Sequence, residues 1–137
     1  MLFRSQDDID NYRYGYSDVG EKMLYAMFNL LGEYLREEPY DLRSDYSEDE
    51  IQSDEGLKAQ QHDLDEAREI YRWWTVERKK DYKAYNDLLD SWVKVRKTDK
   101  QQADTIFDQT QDQEKYLDDK TEEMTIRLMK IRRSLWS

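Results

Sequence analysis

Along the second half of the chain, apolar residues return every three or four positions and charged or polar residues fill the gaps. The positions Ala103, Phe107, Thr110, Glu114, Leu117, Thr121, Met124, Leu128, Ile131 and Leu135 alternate steps of four and three. That 3.5-residue period predicts a helix over 99–136 with a left-handed, coiled-coil-like seam. Thr98 is its expected cap, with Gln101 as reciprocal partner. A second periodic stretch covers 54–97. Leu57, Leu64 and Tyr71 share one heptad position there, and Gln60, Ala67 and Trp74 share the other. The register passes through Arg78 and Asp81 to Tyr85, Leu88, Trp92 and Val95, so this helix is expected to be continuous or to break near 79–82. A short polar turn separates the two stretches and predicts an antiparallel hairpin.

The four glycines and the single proline all lie at or before Gly56, and the chain beyond is free of the strongest helix breakers. Before that point, 18–36 predicts one shorter helix, capped by Asp18 with Glu21 three residues on. It carries two stripes, Met23, Met27, Leu30, Tyr34 and Leu24, Phe28, Leu31, Leu35. A face so wide requires more than one neighbour. Pro39 ends that helix. The stretch 37–53 is dense in carboxylates and is expected to be a mobile acidic loop. In 1–17, the alternation of Tyr12, Tyr14 and Tyr16 fits an extended arm. The expected fold is therefore all-α and a single domain over 1–137: an arm and a short helix packed on a long antiparallel hairpin.

Trp73 and Trp74 are adjacent, and neighbours on a helix point about 100° apart. Trp74 falls on the seam; Trp73 does not. On the last helix, Ile126, Met129 and Trp136 form a second stripe off the seam. Trp73, Ile126, Met129 and Trp136 are thus the expected partner-binding residues, covered either by the first helix or by another protein. Self-association is expected for the same reason.

Composition narrows the chemistry. Charged residues make up 39% of the chain, which fits long solvated helix faces, and 13% aromatics argue for a folded chain. The net charge is −10, and residues 1–70 hold 19 acids against 7 bases. Such a half repels phosphates, so nucleic acid is not an expected partner. No cysteine is present, and no apolar run approaches a membrane span or a signal peptide, so neither a membrane nor a secretory route is expected. His62 is the sole histidine; it sits beside Asp63 and lacks the partners of a catalytic triad or a multi-histidine metal site. The acidic loop does not match the spacing that wraps calcium, and the chain carries no glycine-rich phosphate loop. No cofactor, metal or catalytic residue is expected.

One enzymatic alternative has a sequence basis. "DEARE" at 65–69 and "DLLD" at 87–90 faintly resemble the carboxylate motifs with which all-helical nucleotide pyrophosphohydrolases hold magnesium. Relative to the seam, Glu66, Glu69, Asp87 and Asp90 fall on the outer side, which disfavours that reading. Near the end of the chain Arg127, Lys130, Arg132 and Arg133 cluster, where a helix dipole favours cations and where the acidic loop has a potential docking place.

Two stretches resemble a known family. "EIYRWWTVER", residues 69–78, and "EEMTIRLMKIRRSLWS", residues 122–137, are similar to small tailed-bacteriophage proteins that share an E-[IL]-Y-x-W-W-[TK]-x-E-R run and end in I-R-x-x-L-W-[TS]. The resemblance covers about a fifth of the chain. It implies a phage origin and an all-helical fold, and it carries no activity, ligand or catalytic residue. A proline often follows the arginine of that run; Lys79 stands there in this chain. The expectation that follows is a non-enzymatic accessory protein acting in the host cytoplasm on a host or host-defence protein, with a virion structural or assembly protein as the alternative.

Overall fold

The computed structural model describes residues 16–136, with side chains described for 21–135. Every regular element among them is helical: α1 (Tyr16–Arg36), a 3₁₀ turn (Leu42–Ser44), α2 (Glu48–Ser53), α3 (Glu55–Arg72), a π-helical turn (Trp73–Glu77), α4 (Arg78–Val95), α5 (Lys100–Lys130) and α6 (Arg132–Trp136). The sequence expectation of an extended arm over 1–15 lies outside the described residues. Tyr16 and Ser17, expected in that arm, already belong to α1, so Asp18 stands inside the helix rather than ahead of its first turn.

Helical backbone continues from α3 into α4 without a break at 79–82; the irregularity falls earlier, at Trp73–Glu77. Across it the amide of Arg78 reaches the carbonyl of Trp73, five residues back, which inserts one extra residue into the winding. Ties between this long helical stretch and α5 follow one another in opposite chain order. Arg127 meets Glu66, Gln113 donates to the Asp81 carbonyl at 3.1 Å, and the rings of Trp92 and Phe107 lie 6.2 Å apart. Asp99, not Thr98, caps α5, accepting from the Gln102 amide at 3.1 Å. Thr98 is left to bond back to the Val95 carbonyl.

The main core gathers α1, α3, the π turn and the end of α5. Phe28, Leu31, Ala67, Ile70, Trp73, Trp74, Met124, Leu128 and Ile131 form one buried cluster. Gly32 permits the close approach of α1: a Cβ at that position would meet the Tyr71 hydroxyl at 2.7 Å and its ring carbons at 2.8 and 2.9 Å. The expected seam of the last helix is largely inside, with Ala103, Thr110, Leu117, Met124, Leu128 and Ile131 buried. Phe107, counted in the same seam, is 45% exposed.

The acidic stretch 37–53 is built, contrary to the expectation of a mobile loop. Two apolar residues anchor it: Leu42 and Ile51 are buried. Ser47 and Glu50 form a reciprocal cap on α2. The Leu42 amide donates to Gln61 Oε1 at 3.1 Å, and Arg43 clasps both oxygens of Asp65 at 2.9 Å. Arg68 reaches Asp41 at 2.7 Å. The stretch therefore packs along α3. Arg127, in the C-terminal basic cluster, pairs with Glu66 and Glu69 of α3.

Candidate functional site

Where the π turn begins, two adjacent side chains both enter one core. Trp74 faces α1: its ring stacks on Phe28 at 4.3 Å with planes 6° apart, and Tyr25 meets it edge-on at 5.1 Å. Trp73 tilts against Phe28 at 5.7 Å and reaches the α5 side of the helix, where it shares a cleft with Met124. Trp74 is buried in the same cluster as Ala67, as its seam position implies; the expectation for Trp73 is corrected. Trp74 belongs to the α1 contact, and Trp73, expected at a partner surface, is 5% exposed. Of its two expected covers, the first helix is the one in place.

Arg78 closes the cluster. Its guanidinium lies 4.0 Å from the Trp74 ring centre, 4.7 Å from Tyr82 and 5.5 Å from Tyr25, and it donates to the Tyr25 hydroxyl at 3.3 Å. Stacked cations of this kind are worth about 0.5–2 kcal/mol each. Surrounded by ring faces, Arg78 Nε has no hydrogen-bond partner among the described residues. Burial pushes the Tyr82 hydroxyl up to about 12.

On the side of Trp73 a cleft of about 570 Å³ opens between the π turn and α5. Trp73 and Met124 are its buried apolar members, and Tyr116, 49% exposed, stands at the rim. Its charged lining is mixed: Arg72 pairs with Glu77 at 3.3 Å, Lys120 with Glu123 at 3.0 Å, and Arg127 with Glu66 and Glu69. Lys80 and Asp81 complete it. The second oxygen of Glu77, Oε2, is buried without a partner among the described residues. Arg127 holds the Glu66 carboxyl below its ordinary range.

No protein-family model, curated protein or solved structure gives a match to this chain.

Of the remaining expected site residues, Ile126 and Met129 do not line this cleft. Ile126 and Met129 are 49% and 41% exposed; at about 100° per residue, Ile126 points nearly opposite the buried line of Leu117, Met124 and Leu128. Trp136 closes α6, and its side chain lies outside the described residues. The carboxylates of the pyrophosphohydrolase alternative are not gathered either. Glu66 and Glu69 are held by Arg127, and Asp87 pairs with Lys83 roughly 27 Å further along the helix. No group of three or more acidic, histidine or cysteine side chains among the described residues is disposed to hold a metal ion. His62 sits at the surface, 3.3 Å from Asp63. No helix among the described residues is long and apolar enough to cross a membrane.

Sequence reasoning missed Tyr116, Lys80 and the cleft itself. The position of Arg78 and Asp81 in an otherwise apolar register was the available signal: polar residues at seam positions, just after two tryptophans, mark a local change of winding.

Proposed function

We propose that this chain is a non-enzymatic accessory protein of a tailed bacteriophage that binds and modulates a host or host-defence protein in the host cytoplasm. One observation carries the reading: the cleft at the π turn joins an apolar floor, an exposed tyrosine and a rim of both charge signs. That is the anatomy of a protein interface, an apolar centre ringed by polar groups, with tyrosine among the residues enriched at binding hot spots. The floor suits an apolar or aromatic side chain of the partner, and the rim charges set its orientation. The two long helices, read as a hairpin with a coiled-coil-like seam, hold the cleft on a rigid frame. The ion pairs that occupy Glu66, Glu69 and Asp87 support a binding role over magnesium chemistry.

Affinity capture from host lysate tests this with the wild type, Tyr116→Ala and Lys80→Glu, both substitutions being at exposed positions. A protein retained by the wild type and lost from both variants, at unchanged melting temperature, is the expected result. Equal retention by all three chains would refute the cleft as the binding surface.

A second reading, a virion structural or assembly protein, is favoured by the exposed apolar side chains at the far end of the long helices, Val93 and Phe107. Mass spectrometry of purified virions separates the two, because a host-directed protein is absent from finished particles.

A further inference from the structure

Past the N-terminal end of α1 the described protein narrows from three helices to two. One stripe of α1 packs on α3 and the π turn, with Gly32 against Tyr71, Phe28 against Trp74 and Tyr25 against Arg78, while Met23 and Leu30 of the other stripe are exposed. Further out, the second buried cluster consists of Tyr85 and Leu117, with Tyr82 and Leu89 packed beside them. A groove of about 460 Å³ lies between α4 and α5 there, with Leu89, Trp92, Val93 and Phe107 as its apolar residues. Val93 is 52% exposed and Phe107 45%. An apolar stripe of this width needs another element to cover it.

Charge identifies the occupant. The turn joining the two helices is basic, with Lys94, Arg96, Lys97 and Lys100 against Asp99. The helix flanks behind it are acidic, through Asp90, Asp104, Asp108 and Asp112. A surface that is positive at one end and negative along its stem complements itself when turned end for end. We propose that a second copy of this chain occupies the groove about a twofold axis, the basic turn of each copy lying on the acidic flank of the other. Four helices then enclose Leu89, Trp92, Val93 and Phe107 from both copies, in the packing of an antiparallel bundle with an isologous interface. This surface is separate from the cleft at Trp73, so either can fail without the other.

Sedimentation of the full chain from about 1 to about 100 µM reads the association directly. The expected species has twice the 16.8 kDa chain mass, and it weakens as salt screens the paired ends. Phe107→Glu should raise the dissociation constant on the order of 100-fold with helix content unchanged by circular dichroism. Lys97→Glu and Asp104→Lys should each weaken the dimer about tenfold, and placing both in one chain should restore much of it. If glutamate at 107 disturbs the fold, the two charge reversals and their combination decide alone. A chain that stays monomeric throughout, or a dimer indifferent to the charge reversals, would overturn the proposal. A monomer whose melting temperature falls on Phe107→Glu would also overturn it, by assigning the groove to another part of the same chain.

Discussion

At the scale of single residues, Trp73 and Trp74 carry the most weight. Both are enclosed, and both touch Phe28. Truncating either to alanine removes a large apolar surface and leaves a cavity between α1 and α3, at a cost of about 3–5 kcal/mol, a large share of the stability of a small domain. Thermal melts followed by circular dichroism should show large and similar drops for Trp73→Ala and Trp74→Ala; an unchanged melting temperature for Trp73→Ala would return that residue to the surface. Which residues face inward was mostly legible, because burial on a helix leaves a period in the sequence, as Leu64, Ala67, Leu117, Met124 and Leu128 show. The π turn was not read, although polar Arg78 and Asp81 at seam positions just after the tryptophans are its one mark in the sequence. Trp73 and Trp74 are its first two residues, and the seam count assigned only Trp74 to the core.

Among the elements, the acidic stretch shows how composition misleads. Its nine carboxylates between residues 37 and 56 pointed to a hydrated, mobile loop. Leu42, Ile51 and Arg43 outweigh that repulsion by giving the stretch two apolar anchors and a cation of its own. The pairs that fasten the elements to one another have a signature in pH. The carboxyls of Asp41, Asp65 and Glu66 are lowered, chiefly by side-chain hydrogen bonds from Arg68, Arg43 and Arg127 respectively. A carboxyl lowered by folding stabilises the protein fully above its unfolded value, about 4, and loses that contribution as the pH falls through the folded value. The melting temperature should therefore hold between pH 7 and about 5 and fall below about 4. Glu66 is the least exposed of the three, at 17%, and Glu66→Gln should cost about 1–2 kcal/mol at neutral pH. The same substitution should flatten the acid limb of the profile. Comparing the two proteins isolates this pair from the repulsion of a chain carrying net −10. If Glu66→Gln melts like the wild type at both pH 7 and pH 3, the Arg127 pair contributes nothing.

For the whole molecule, the helical class and the long paired helices followed from the glycine-free second half and its seam, whereas the division of labour between its two ends did not. Periodicity treats the chain beyond Gly56 as uniform; only packing reveals that α1 covers Trp73 and Trp74 near one end, whereas Val93 and Phe107 stand exposed near the other. The closed end carries the cleft, and the open end carries the self-complementary groove. Local stability should follow the same division. Hydrogen exchange by mass spectrometry at low and high protein concentration reads that division segment by segment. Ala67–Trp74 and Met124–Leu128 should be strongly protected at every concentration, whereas Leu88–Val95 and Ala103–Thr110 should exchange quickly in dilute solution and slow markedly as the concentration rises. Equal, concentration-independent protection along the full length of both long helices would rule out a two-helix end that a second copy covers.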